Sequence, residues 1–374
     1  MLNNFRFLTS GESHGKCLNA IIDGIPSGVQ IDIDFINSEL KRRQGGYGRG
    51  GRMKIETDKV EIKSGVRHGL TTGSPICLEI KNKDFENWRT IMSVEATEEY
   101  HGEKSFSEPR PGHADFAGCV KYNSKDLRDI LERSSARKTA MDVAVGAVAK
   151  LILKEFGIEC SSKIIELGGI CSSGLTEEEF TAKVKAKIDE TREIGNTLGG
   201  KFVVEYKNLP IGLGSHVQWD RKLDGEISQA VMSIPAIKSV EIGMGNDVAK
   251  ILGSKVHDEF YIEDDNIKRK TNNAGGLEGG MTNGQNLVVK ACMKPIPTMK
   301  TPLGTIDLKT LKETEAHFER SDVCAVSACT VVAEAAIATV LVDEFLKKFG
   351  SDNLRDIKES FQNSLKYNRG FNLD

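Results

Sequence analysis

Proline is scarce in this 374-residue chain, with 9 residues, and neither sign of charge dominates: 51 Lys+Arg against 54 Asp+Glu leave a formal −3. The near balance argues against a histone-like or ribosomal binder and confines any basic site to a local patch. Repeats of period 20–50, low-complexity tracts and dividing linkers are also missing, so residues 1–374 read as one domain. No C-x-x-C pair occurs among the 8 cysteines, most of which have apolar neighbours. That pattern excludes a disulfide framework, leaves zinc without paired ligands, and suits reduced, buried thiols. The opening MLNNFRFLTSGESHG lacks a basic region followed by an apolar run, so no signal peptide is expected and a cytoplasmic location is. One stretch, Val323 to Leu341, is long and nearly free of charge. Glu334 interrupts it, and Ser327, Thr330 and many small residues favour a helix buried in a protein core over a membrane span.

Glycine, by contrast, is plentiful at 37 residues, which indicates tight turns and close backbone approaches rather than disorder. Strand patterns fall at Ala20–Asp23, Ile31–Ile33, Lys59–Lys63, Ser74–Ile80, Lys201–Tyr206 and Asn286–Met293. Asp34 reads as the N-cap of a short helix carrying Ile36 and Leu40 and ending in Lys41-Arg42-Arg43. A strong helix is expected from Ser134 or Ser135, with Ala140, Val143, Ala147 and Leu151 at helical spacing and Gly157 as its stop. Thr176 with Glu179 forms a capping box. Val323–Phe349 reads as a second long helix stopped by Gly350, and Ser351 as the cap of a last one through Leu354, Ile357, Phe361 and Leu365. The fold class is α+β, with long small-residue helices suited to face-to-face packing.

Six segments could carry chemistry. Gly11-Glu12-Ser13-His14-Gly15 matches G-x-S-x-G, the nucleophile elbow of serine hydrolases, but the following residues read as strand where an elbow needs a helix. A turn histidine bonded to local backbone accounts for His14 equally well. Arg42 to Arg52, RRQGGYGRGGR, interleaves glycines that let amides approach a ligand with arginines whose forked donors suit phosphate and carboxylate. The same string resembles RNA-binding RGG tracts, or a solvated loop. Arg110–Asp115 (RPGHAD) and Arg133–Ala140 (RSSARKTA) follow, the latter at a helix start that favours an anion. Lys294–Thr298 (KPIPT) leaves a strand and is held extended by its prolines. Glu319–Asp322 (ERSD) opens the second long helix, where Asp322 also fits a plain N-terminal helix acid.

In this order and spacing, and with the loop NNAGGLEGGMTNGQ, these strings closely resemble the chorismate synthases from Phe7 to about residue 350. The resemblance implies a lyase of the shikimate pathway of aromatic amino acid biosynthesis. Its reaction is a 1,4-anti elimination of phosphate from 5-enolpyruvylshikimate-3-phosphate that needs reduced FMN but has no net redox change. It further implies a β-α-β sandwich, with long central helices between two antiparallel sheets, and a homotetramer binding neither nucleic acid nor membrane.

By the same resemblance, His14 and His113 are the active-site histidines, one assisting the leaving phosphate and the other protonating the flavin. Asp322 is the acid that takes the ring hydrogen with the flavin. Ser13, Arg43, Arg49, Arg52, Arg110, Arg137 and Arg320 bind the substrate, with Arg43 and Arg49 also contacting NADP. Flavin contacts carry over to Arg133, Ser134, Ser135, Pro235, Ala236, Gly279, Lys294, Pro295, Ile296, Pro297, Thr298 and Arg320. The family often has Asn-Ala or Gln-Ala where this chain has Pro235-Ala236, so a side-chain amide contact is lost there. Reduced FMN is expected either from NADPH oxidation by the chain itself or from a separate flavin reductase. The compact length, without a large insertion, favours the second.

The chemistry suits the residues apart from any name. Two carboxylates, a substrate phosphate and a flavin phosphate call for a pocket rich in arginine inside an acidic protein. Imidazole, ordinarily titrating near ~6.5, suits proton donation to a departing phosphate.

Overall fold

The structure is a computed structural model and describes residues 2–50, 57–264, 266–319 and 322–369. Two antiparallel sheets frame it. Strands β1 (Arg6–Ser10), β2 (Cys17–Asp23), β3 (Val60–Ile62) and β4 (Ile76–Lys81) pair in the order β1-β2-β4-β3. The second sheet takes β5 (Glu159–Leu167), β6 (Ile170–Cys171), β7 (Gly200–Lys207), β8 (Ile237–Ile242) and β9 (Leu287–Met293), in the order β8-β9-β7-β5-β6. Alternation explains both faces. In β4, Ile76, Leu78 and Ile80 are buried, and β9 buries Leu287, Val289, Ala291 and Met293.

Two long helices pack along each other: α4 (Thr139–Lys154) and α7 (Val326–Phe349). Helix α4 touches β1, β2 and β4 of the first sheet and also β5 of the second, while α7 touches β5 and β7 of the second. Small residues permit the close approach. At Gly146 an added Cβ would lie 2.3 Å from the Ala335 Cβ, so even Gly146→Ala would overpack the crossing, at a cost of roughly 1–3 kcal/mol. Helix α7 is the one described helix long and apolar enough to cross a membrane, yet 89% of its most apolar window is buried inside the fold.

Helix α1 (Ile33–Gln44) packs on both long helices and aims its basic C-terminus at their ends. Its N-cap is Asp32, whose side chain accepts the Phe35 N–H at 3.0 Å, rather than Asp34, which lies inside the first turn. Ile33 is therefore helical and not strand. The helix expected from Ser134 or Ser135 comes in two pieces. Helix α3 (Leu127–Ser134) ends at Ser135, which is extended at φ −61° and ψ 145°. Its Oγ accepts the Arg137 N–H at 3.3 Å and starts a 3-10 turn, Ala136–Lys138, before α4. The local side-chain bond replaces a helical one, as serine readily allows.

Helix α7 starts at Val326 and not Val323, because Val323 N–H donates to the Gly48 carbonyl and Cys324 bridges to Leu198. The last helix, α8 (Leu354–Arg369), is capped by Asn353 rather than Ser351, with Asn353 Oδ1 accepting the Asp356 N–H at 2.9 Å. The Thr176–Glu179 capping box is present as expected, opening α5 (Glu177–Glu193). Helices α2 (Asp115–Tyr122) and α6 (Leu223–Met232) complete the set used below.

Charge is buried in the helical layer as well. Glu334 of α7, fully buried, takes both Arg42 nitrogens at 2.7 and 2.8 Å, Lys150 Nζ at 2.6 Å and Ser162 Oγ at 2.5 Å. Glu39 bonds the same Lys150 and Arg42. Two carboxylates thus face two cations in a balanced group that is buried except for Arg42, whose side chain is 44% exposed.

Candidate active site

A cavity of about 430 Å³ opens where the β1–β2 loop, the end of α1, the α3–α4 break and the start of α7 converge. That volume lies within the range of small-molecule sites, roughly 300–1,000 Å³. It gathers Ser13 and His14 from the β1–β2 loop, Arg43 and Arg49 from the end of α1 and beyond, and Arg110 and His113 from the loop before α2. Ser134, Ser135 and Arg137 enter from the α3–α4 break, Pro235 and Ala236 from the entry to β8, and Asp322 from before α7. Lys294, Ile296, Pro297 and Thr298 line it from the exit of β9.

Three expected residues stand elsewhere. Arg133 donates to the carbonyls of Thr9 and Gly11 and so caps the outer edge of β1. Gly279 lies in a hairpin turn at φ +61°, with His216 Cβ at 3.9 Å from where its own Cβ would be. Pro295 does not line the cavity. Arg52 and Arg320 lie outside the described residues.

The cations of the wall are backed by acids set behind it. Asp58, with a fully buried side chain, accepts Arg137 Nη1 at 2.6 Å and Arg43 Nη1 at 3.4 Å. Arg43 also donates to Thr139 Oγ1 at 2.9 Å and the Ala136 carbonyl at 3.0 Å, and Arg137 to Asn82 Oδ1 at 2.9 Å. Asn82 in turn holds the Gly15 carbonyl at 2.7 Å, tying the β1–β2 loop to the arginines. Burial pulls the Arg43 guanidinium down to about 10. Asp58 pushes it back up, while neighbouring Arg137 and Arg49 depress it further. It stays charged at neutral pH, in a concentration of positive charge that an anion would relieve.

Asp115 plays the same part on the other wall. It takes Arg110 Nε at 2.8 Å and His113 Nδ1 at 2.6 Å. Burial pushes its carboxyl up, but His113 and Arg110 outweigh that and hold it well below the usual carboxylate range. Arg110 also reaches Thr298 Oγ1 at 3.1 Å, and Lys294 Nζ bonds the Gly112 carbonyl, so the loop before α2 is fastened to the KPIPT strand exit. Asp322 pairs with Arg49 at 3.1 Å and accepts the Gly50 N–H. His14, with only 6% of its surface exposed, stacks on Trp88 at 3.8 Å between ring centroids.

An apolar face completes the cavity, with Leu131, Ile234, Met293, Ile296, Ala328 and Val332. Ala236 lies there in the left-handed region at φ +72°, a conformation costing an L-residue about 1–2 kcal/mol. Its carbonyl accepts the Lys294 N–H at 2.9 Å, which locks the β8 entry to the β9 exit.

Glu132, Asp115, Asp58, Asn82 and Trp88 were not among the expected site residues. Glu132 stands immediately before RSSARKTA and Asp115 ends RPGHAD, where the neighbouring arginine and histidine were the available signal. Asp58, Asn82 and Trp88 sit in sequence contexts with no such cue.

Neither rival reading matches this geometry. The GESHG loop joins two antiparallel strands, whereas a nucleophile elbow joins strand to helix. Arg43 is 4% exposed, so it is not offered to a polynucleotide as an RGG tract would be.

Residues 5–346 match the family model described as Chorismate synthase. The Chorismate synthase of Thermoanaerobacter pseudethanolicus is 53% identical over 367 residues, covering 98% of this chain and all of that one. That of Geobacter metallireducens is 50% identical over 393 residues, again with 98% and 100% coverage. A crystal structure of chorismate synthase is 39% identical, superimposes with a TM-score of 0.79, and covers 99% of this chain and 100% of its own. A cationic, partly apolar cavity assembled from six of the strings, and a match that spans nearly every residue, together place this chain in the chorismate synthase family.

Proposed function

We infer that this chain is a lyase converting 5-enolpyruvylshikimate-3-phosphate to chorismate and phosphate by 1,4-anti elimination, in the shikimate route to aromatic amino acids. One observation carries the reading. The cavity wall presents Arg43, Arg49, Arg110, Arg137 and Lys294 against Glu319 and Asp322, while the compensating Asp58 and Asp115 lie behind it. Such a surface is built for a polyanion, and the substrate carries two carboxylates and a phosphate.

The donor set also fits FMN. The apolar face suits a flat ring system, and Lys294, Ser134, Ser135 and Thr298 are donors for its polar edge and phosphate. Reduced flavin, when bound, supplies electron density to the substrate and recovers it, so no reductant is consumed. This chain's residues do the rest. The arginines clamp the anionic groups and set the ring's orientation, as bidentate guanidinium forks do. His14 and His113 are the proton carriers of the two walls, one at the departing phosphate and one at the flavin. Asp322, 3.1 Å from Arg49, is the carboxylate that receives the ring hydrogen.

The finer features belong to the same proposal: a single domain arranged as a β-α-β sandwich, a homotetramer, a cytoplasmic location, and NADPH or a separate flavin reductase as the source of reduced FMN. The contacts of α4 with both sheets and of α7 with the second support the sandwich.

Anaerobic turnover with reduced FMN tests the function. More than one chorismate per flavin is expected, with no stoichiometric NADPH consumption. Equal activity with oxidised FMN, or one NADPH per product, refutes it. Within that assay Asp322→Asn should keep fold and substrate affinity and lose roughly 10²–10⁴ in turnover. Near-normal turnover removes Asp322 from the chemistry.

A further inference from the structure

His14 reaches the cavity with one of its two ring nitrogens already committed. Glu132 of α3 grips it twice: Oε1 lies 2.8 Å from Nδ1, and Oε2 accepts the His14 backbone N–H at 2.8 Å while sitting 3.1 Å from Nδ1. The Glu132 carbonyl accepts the Ser13 N–H at 2.9 Å as well. Burial pushes the Glu132 carboxyl up, but the contacts with His14 and Arg128 outweigh it and hold the group below its ordinary value, so it is ionised at neutral pH. An ionised carboxylate only accepts, so Nδ1 carries the proton of that bond.

We propose that Glu132 is the positioning residue of His14, holding the Nδ1 proton in place so that Nε2 alone exchanges a proton with the contents of the cavity. Trp88 fixes the plane of the ring, stacked at 19°, and Lys104 Nζ lies 3.5 Å from the centroid of the same indole. Arg128 fixes Glu132: its guanidinium reaches Glu132 Oε1 at 3.3 Å and Glu319 Oε1 at 2.8 Å. Glu319 lines the cavity three residues before Asp322, so one buried arginine ties the histidine's partner to the segment bearing the proposed base. The arrangement follows the general rule that a carboxylate on one imidazole nitrogen sets the tautomer and aim of the other.

The proposal rests on the cavity being the elimination site, and its test reads the tautomer separately from activity. Nitrogen-15 NMR of histidine-labelled full-length protein, with His14→Asn to assign the signal, should show Nδ1 of His14 protonated in the native protein. In Glu132→Gln the amide oxygen takes over the backbone N–H and the amide NH₂ faces Nδ1, so the proton should move to Nε2. Turnover should then fall roughly 10²-fold, in the range of general acid–base effects, while KM and FMN affinity stay within threefold. In the His14→Asn background, Glu132→Gln should cost nothing further, since it acts through His14.

A bare Nδ1 in the native protein overturns the proposal. So does near-native turnover in Glu132→Gln, or losses that multiply in the double variant. If Glu132→Gln does not fold, the native spectrum alone decides. A native protein that makes no chorismate refutes the function instead, and leaves the tautomer result standing.

Discussion

Two of the places where the molecule buries charge do so in opposite ways. Around Glu334, two carboxylates and two cations close on one another between α1, α4, α7 and β5. Each acid there finds its cation directly. Burial pushes Glu334 up, yet Arg42 and Lys150 hold it at about 2. In the cavity the cations face inward and their acids stand behind, so the inner surface is positive and Arg43 is depressed to about 10. The two designs share residue types and even the same helix: Arg42 belongs to the closed group and Arg43, its neighbour, to the open one. A helix turns about 100° per residue, so adjacent arginines at the end of α1 serve different clusters. Closure gives stability, and openness gives binding.

The largest effect that could break this comparison is on the closed side. Lys150→Met fills similar space but leaves Glu39 and Glu334 with Arg42 as their only cation among the described partners. Removing one partner of a buried ionic group costs roughly 3–5 kcal/mol. Denaturant unfolding should show that loss, while turnover per folded molecule is retained, because Lys150 does not line the cavity. A loss under 1 kcal/mol would mean that water enters the cluster and that it is closed in geometry only.

The same contrast explains what could be read from the chain before its structure. The open cluster lies in glycine- and arginine-rich loops whose composition announces anion binding, so Arg43, Arg49, Arg110 and Arg137 were legible. Their acids were harder. Asp58 follows the loop with no pattern around it, and only folding brings it against Arg137, 79 residues away. Glu334 was visible as a charge in an apolar helix, but its cations come from two other helices. The helix ends at Asp34 and Ser351 differ because Asp32 and Asn353, close by in sequence, take the cap, whereas Val323 is held outside its helix by the distant Gly48 carbonyl. The α3–α4 break had no proline or glycine to mark it. Ser135 breaks the helix with its own hydroxyl, and the break is what turns Arg137 toward Asp58.

On the open side, Arg49→Ala should leave the fold intact and weaken the substrate. A charge-assisted bond in a desolvated anion site is worth roughly 1.5–3 kcal/mol, or about 10- to 150-fold in Kd. The same substitution removes the partner of Asp322, so turnover should fall beyond the loss of affinity. Titration of substrate into the FMN complex, beside a thermal melt, separates the effects. A large drop in Tm with unchanged affinity would move Arg49 into the structural class and erase the distinction.

The smallest expected effect concerns an acid belonging to neither cluster. Glu226 of α6 is half-buried and, among the described residues, forms no ion pair. Burial, then Glu344, raises its carboxyl from 4.5 to about 7, while Lys347 opposes the shift. A carboxyl whose folded value is raised keeps its proton in the folded state over a window where the unfolded chain has released it. Between about pH 4.5 and 7 the folded form therefore binds more protons, and stability from this group declines as pH rises through that window. Above pH 7 the decline is complete. Gln in the same place carries no charge at any pH. Glu226→Gln should thus match the native protein at pH 4.5 and exceed it at pH 8, by roughly 0.5 kcal/mol once solvent screening of a half-exposed group is allowed for. Melts of both proteins at the two pH values measure the difference. An equal offset at both would show that the change lies in packing, and that Glu226 holds its charge at no cost. A gain confined to high pH would show the converse of Glu334, whose carboxyl Arg42 and Lys150 hold below its ordinary value.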